Sequence, residues 1–126
     1  MITQLNQVML YVKSQQQSIK FFKDALQFHV IKEEVLPEDY RSYEIAPKES
    51  NETSIVIFDQ EFIKKYSPMV SLVTPSLMFK TDDALKLRED MVAKGITVGE
   101  IMELPHGTVF NISDYEGNYF AVIEEK

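Results

Sequence analysis

The order of elements along this chain repeats once, and that repeat limits the folds open to it. QVMLYV at Gln7–Val12 matches SLMFKT at Ser76–Thr81 in pattern. Ala25-Leu26-Gln27-Phe28 matches Ala93-Lys94-Gly95-Ile96, each at a helix end entering a strand. SIVIFD and YFAVIE close the two halves. In the first half the apolar pattern predicts a strand over Leu5–Val12, then a helix capped by Ser14 or Ser18. Ile19, Phe22 and Leu26 define the helix stripe, widened by Phe21 and Ala25. Strands follow at Phe28–Val35, Arg41–Ala46 and Ser54–Phe58, with the polar run Lys48–Thr53 as a loop. Asp59–Thr74 is less regular and reads as a connector, with one helical turn in EFIKKY stopped at Ser67-Pro68. The second half predicts a strand at Ser76–Lys80 and caps at Thr81-Asp82-Asp83. Its helix carries Ala84, Leu87 and Met91 on one face, with Val92 beside them, and ends at Lys94-Gly95. Ile96–Leu104, Thr108–Ile112 and Asn118–Glu124 are its remaining strands.

A repeat of strand, helix and three strands predicts an α+β fold of two tandem βαβββ modules. Module 1 spans about residues 1–59, a connector 60–74, and module 2 about 75–126, together one domain over 1–126. Each module is expected to form a curled antiparallel sheet with its helix on one face. Alternation puts Val8, Leu10, Val12, Val56 and Phe58 under the first helix, and Leu77, Phe79, Phe120 and Val122 under the second. The opposite faces would line a cleft with Gln7, Met9, Tyr11, Ile55, Ile57, Ser76, Met78, Tyr119, Ala121 and Ile123. An apolar, aromatic wall with a few hydrogen-bonding groups is the usual make-up of a small-molecule pocket.

Three stretches carry a resemblance to a known family. Ser113-Asp114-Tyr115-Glu116-Gly117-Asn118 resembles the Asp-Pro-x-Gly-Asn turn before the last strand of the vicinal oxygen chelate superfamily. Ser18–Phe28 resembles that family's Phe-Tyr-x-x-x-Leu-Gly-Phe helix end. Met78–Asp83 followed by Ala93–Ile96 resembles its second-half strand and helix. The departures are Gln27 in place of the usual Gly and Tyr115 in place of the usual Pro. The superfamily includes glyoxalase I, extradiol dioxygenases, fosfomycin-resistance enzymes and bleomycin-resistance proteins. The resemblance implies a duplicated fold, a homodimer, and, in the enzymes, a metal held by His, Glu or Gln on the first and last strands of each half.

Those places map onto Gln7, Ile57, Ser76 and Ala121, which are not a ligand set. A catalytic divalent ion normally takes about three protein ligands. No metal and no other cofactor is therefore expected. His29, in LQFHVI, reads as an edge-strand residue. His106, in the turn Leu104-Pro105-His106-Gly107, could present an imidazole that titrates near neutral pH. Glu44, Asp59, Glu103 and Glu124 are the carboxylates nearest strands, and His106 and Glu44 are the candidates for acid–base work. The turn itself has a structural role: Asp114 accepts backbone N–H bonds, Gly117 takes a positive φ, and Asn118 is a secondary candidate for ligand contact.

With 126 residues the chain has room for one real core. No cysteine is present, which excludes disulfides and thiolate metal sites and fits a reducing, cytoplasmic setting. No signal peptide or membrane span is evident. A net charge of −7 argues against a nucleic-acid partner and favours a cationic small organic ligand. The expectation is a metal-free protein that binds or sequesters a small molecule, similar to bleomycin-resistance proteins. The alternatives are a metal-dependent lyase, isomerase or thiol transferase of the glyoxalase I or fosfomycin-resistance type, and a metal-free enzyme using His106 or a cleft carboxylate.

Overall fold

A computed structural model describes residues 1–48 and 52–126. Residues 49–51, in the expected Lys48–Thr53 loop, lie outside the described residues. The chain divides into two compact units, residues 1–74 and 75–126.

The first unit runs β1 (Gln7–Val12), α1 (Gln15–Leu26), β2 (His29–Val35), β3 (Arg41–Ala46), β4 (Ser54–Asp59) and α2 (Gln60–Tyr66). Its sheet order is β1-β4-β3-β2. The sheet is mixed, not wholly antiparallel as alternation alone suggested, because β1 pairs with β4 in parallel. The helix α1 starts where Ser14 Oγ accepts the Gln17 N–H at 3.3 Å. Ser18 instead lies inside the helix, buried, with no hydrogen-bond partner for its hydroxyl among the described residues. The helix ends at Gln27, which holds a left-handed φ of 57°. Phe21, Phe22 and Ala25 bury the inner stripe of α1. The connector contains α2, capped by Asp59, whose carboxylate accepts the Glu61 N–H at 2.9 Å.

The second unit repeats the plan: β5 (Met78–Lys80), α3 (Ala84–Ala93), β6 (Met102–Leu104), β7 (Gly107–Ser113) and β8 (Tyr119–Glu125), in sheet order β5-β8-β7-β6. The repeat read along the sequence is thus a repeat of topology. Two strands are shorter than the sequence suggested. The Ile96–Leu104 run pairs regularly only over Met102–Leu104, with one isolated bridge from Val98 to Ile112. Asp83 caps α3 through the Lys86 N–H, and Gly95 follows the helix with φ 79°. Ala84 and Met91 are buried in α3, whereas Val92 is exposed.

Register decides which side chains reach the open face of each sheet. In β5 and β8 the expected phase holds. Phe79 lies beside Val122, and Phe120 beside Ile112, on the buried face. Met78 and Ala121 pair on the other face. In β4 the expected phase is off by one residue. Ile57 is the lateral partner of Leu10 and Ile55 that of Val8, so both isoleucines face α1 and are buried. Val56 and Phe58 lie beside Met9 and Tyr11 on the open face instead. SIVIF is apolar at every position after its serine, so alternation carries no phase. The partner strand supplies it, by setting Gln7 against Ser54. Burial of Ile55 and Ile57 against Leu10 and Ile45 is the hydrophobic gain that fixes this register.

The turn before β8 is a closed hydrogen-bond ring. Asp114 Oδ1 accepts the Glu116 and Asn118 N–H groups at 2.9 and 2.8 Å, and Oδ2 accepts from Asn118 Nδ2 at 2.9 Å. Gly117 takes φ 84° between them. The acidic turn therefore aims the last strand, and Asn118 is tied into it. Among the described residues no helix is long and apolar enough to cross a membrane.

Candidate functional site

The open face of the first unit is where ionisable groups gather. β1 contributes Gln7, and β4 contributes Val56 and Phe58. β3 contributes Ser42 and Glu44, and β2 contributes Lys32 and Glu34. These side chains line a hollow of about 120 Å³. The pairing explains the convergence. Glu44 sits between Lys32 on one side and Val56 on the other, and Ser42 between Glu34 and Phe58.

Glu44 is half-buried, and its carboxylate accepts from Ser54 Oγ at 2.5 Å. Lys32 Nζ pairs with Glu34 at 2.7 Å. The bond to Glu34 and then its charge hold the Lys32 ammonium above the usual lysine value. Desolvation opposes this, and Glu44 adds a smaller upward push. An aromatic run leads away from the hollow. Tyr11 and Phe58 have ring centroids 6.0 Å apart, and Phe58 stacks on Phe62 of α2 at 6.3 Å. Phe62 also meets Tyr40 at 5.3 Å and Tyr66 at 4.8 Å. At the tip of the β2–β3 hairpin, Glu38 accepts from Lys65 Nζ of α2 at 2.6 Å.

The hollow of the second unit has no charged lining, although Lys80 and Glu125 pair at 3.5 Å elsewhere on β5 and β8. Ser76, Leu77, Asn111, Tyr119, Phe120 and Ala121 line this hollow of about 220 Å³. Asn111 is the lateral partner of Ala121, which in turn pairs with Met78.

The sequence-predicted residues therefore fall into three groups. Gln7, Met9 and Tyr11 share one face in the first unit, as Ser76, Met78, Tyr119 and Ala121 do in the second, and Glu44 joins the first set. Ile55 and Ile57 do not: they belong to the core under α1. His106 is exposed in the turn between β6 and β7, where its carbonyl accepts the Lys126 N–H at 3.1 Å. Gly107 follows that turn, and a Cβ there would come within 2.6 Å of the Glu124 carbonyl oxygen on β8. His29 is exposed at the start of β2, opposite Ala46.

All four strand-edge carboxylates have structural partners, Glu44 through Ser54 Oγ. Asp59 caps α2, Glu124 accepts the Ala84 N–H of α3 at 2.8 Å, and Glu103 accepts from Thr108 Oγ1 at 2.9 Å. Of these four, Glu44 is the one that lines the hollow described above. Sequence reading missed Lys32, Glu34, Ser42, Val56, Phe58 and Asn111. A signal existed for two of them: Ser42 and Glu44 alternate in RSYEIA, and Asn111 interrupts the apolar run TVFNIS.

A resident metal finds no fitting donor set. With the register corrected, the first and last strands present Gln7, Val56, Ser76 and Ala121 on their open faces, and only Gln7 is a plausible ligand. Among the described residues no three His, Cys, Asp or Glu side chains lie close enough to hold an ion.

Comparison with known proteins agrees with the duplicated fold. The chain is 28% identical to the uncharacterized protein YetH of Bacillus subtilis (strain 168), over 98% of this chain and 100% of that one. The crystal structure of TnmS3, an antibiotic binding protein from Streptomyces sp. CB03234, superposes with a TM-score of 0.82 at 21% identity, covering 99% and 98% of the two chains. A superfamily member from Sphaerobacter thermophilus DSM 20745 superposes with a TM-score of 0.81 at 18% identity, covering 98% of each chain. The profile of the Glyoxalase/Bleomycin resistance protein/Dioxygenase superfamily matches residues 4–122. On that match, which spans nearly the whole chain and agrees with the strand order of both units, the protein belongs to the Glyoxalase/Bleomycin resistance protein/Dioxygenase superfamily.

Proposed function

We propose that this chain is a binding protein that sequesters a small organic molecule and does so without a metal. The observation that carries the reading is the pairing of two features on the open sheet faces. The hollow of the second unit sets apolar and aromatic walls around Ser76 and Asn111, as ligand pockets do, and that of the first sets Val56 and Phe58 beside charged and hydrogen-bonding side chains. The strand positions that would hold an ion carry Val56, Ser76 and Ala121 instead. The likeness in fold to an antibiotic binding protein supports the same reading. The ligand is then an amphipathic compound of antibiotic type. The protein acts as a homodimer in the cytoplasm, a pairing favoured by the exposed Met9, Met78 and Tyr119 on the open faces.

Thermal-shift screening against a panel of amphipathic natural-product antibiotics tests this. A saturable rise in melting temperature is expected. It should be insensitive to a chelator, and the compound should be recovered unchanged by mass spectrometry. Loss of binding on chelation, with recovery on adding zinc or manganese, overturns the reading in favour of a metal-dependent enzyme. Conversion of a bound compound at a rate that falls in Glu44→Gln supports a metal-free enzyme, the second reading that the position of Glu44 favours. Sedimentation equilibrium of the purified chain checks the dimer.

A further inference from the structure

Glu44 presents its carboxylate to a hollow, and Lys32 beside it acts on it through charge and not through an ion pair. The carboxylate's one hydrogen bond comes from Ser54 Oγ, and it forms no ion pair among the described residues. We propose that the hollow around Glu44 is the subsite for an organic cation, the ammonium- or guanidinium-type head group of the bound molecule. The inference rests on the binding reading above and adds the charge class of the ligand.

Four observations converge. A carboxylate offers about four acceptor positions, and the Ser54 hydroxyl fills one of them. The nearest built-in cation, Lys32, is already engaged by Glu34 at 2.7 Å, so the two carboxylates and one ammonium of the hollow leave a negative surplus. The Phe58 ring lines the same hollow and meets Tyr11, supplying aromatic faces that attract cations. Finally, about 120 Å³ is too small for a whole drug-sized ligand, whose pockets run to roughly 300–1,000 Å³, but it suits a head group. The remainder of such a molecule would lie over Met9 and Tyr11, which continue the same face. An anionic group would meet the charges of Glu34 and Glu44, which Lys32 offsets only in part. A neutral one would leave the half-buried carboxylate desolvated without a new donor, which is costly.

The test compares 2-phenylethylamine with its uncharged isostere 2-phenylethanol, each titrated into the full chain and followed by amide NMR shifts in β1, β3 and β4. The amine should bind at least about tenfold more tightly, the gain expected of a charge-assisted bond to a half-buried partner. The preference should shrink as salt is added. Glu44→Gln, which keeps an acceptor for Ser54 and so preserves the fold, should bring the two probes to comparable affinity. Glu103→Gln should leave the preference intact. Equal affinity in the unaltered protein, or a preference that survives in Glu44→Gln, overturns the cation subsite while leaving small-molecule binding standing. Absence of shifts with either probe at millimolar concentration also overturns it. The antibiotic panel judges the broader reading independently.

Discussion

The two units share one strand order, yet their open faces carry different chemistry. In the first, Lys32, Glu34 and Glu44 surround a small hollow that leads to an aromatic run. In the second, Ser76, Asn111, Tyr119 and Ala121 make a neutral one. Their buried faces are alike. Leu10, Ile45 and Ile57 hold the first sheet under its helix, and Phe79, Phe110 and Val122 hold the second. The comparison teaches that topology is set by the covered side of each sheet, where apolar burial supplies the free energy. The open side is then free to diverge in charge.

The units also solve the same local problems differently. The helix of the second ends in Gly95 at φ 79°, where glycine is at ease. The helix of the first ends in Gln27 at φ 57°, where a Cβ is not. The β6–β7 hairpin closes tightly at Pro105-His106. The β2–β3 hairpin instead closes through two consecutive left-handed residues, Glu38 at φ 60° and Asp39 at φ 64°. This costlier tip is tied to α2 by the Glu38–Lys65 ion pair and by the contact of Tyr40 with Phe62.

These contrasts can be broken or sharpened by substitution. The largest effect is expected at the turn before β8. Asp114→Ala removes a buried carboxylate that accepts two backbone N–H groups and one amide, and should destabilise the protein by about 3 kcal/mol in chemical denaturation. A loss below about 0.5 kcal/mol would mean that water replaces those bonds without cost. Gln27→Gly should make the first helix end resemble the second. Relief of the left-handed conformation predicts a stabilisation of about 1 kcal/mol, read as a higher denaturation midpoint.

The smallest effect concerns the hairpin tip. The hydrogen bond from Lys65, and then that from Tyr66, holds the Glu38 carboxyl below its ordinary value. Lys65 is raised above its own, first by the bond to Glu38. A lowered carboxylate contributes stability above its unfolded pKa and loses it as pH falls through the folded value. A raised lysine contributes below its unfolded pKa and loses that as pH climbs through the folded one. The stability difference between the parent and Glu38→Gln should therefore be greatest near neutral pH and vanish in acid. It should also shrink in high salt, because the pair is exposed. No difference at any pH would show that the ion pair adds nothing and that the tip is held by the Tyr40–Phe62 contact.

Much of the fold was legible from local pattern. Asp83 and Gly95 mark helix ends by rules that need no tertiary information, whereas the choice between Ser14 and Ser18 fell to the structure. Pro47 closes the Arg41–Ala46 strand. The second-unit face was legible because Phe79, Phe120 and Val122 contrast with Met78, Tyr119 and Ala121 in size and polarity. The phase of β4 was not, because Ile55, Val56, Ile57 and Phe58 are all apolar and either parity buries two of them. Lys32 and Glu34 escaped for a related reason: in HVIKEEV, charges occupy both faces of an edge strand, so alternation has nothing to distinguish.

By itself the sequence determined the duplication and the sites of most caps and turns, since these depend on residue types and short spacings. Only the tertiary structure decided that Ile57 turns inward and Val56 outward, and that Glu44, Lys32, Glu34 and Gln7 share one hollow. The reason is that a strand's face is fixed by its neighbours. Until β1 sets Gln7 beside Ser54, and β3 sets Glu44 beside Val56, no local rule can say which side of the sheet a side chain will occupy.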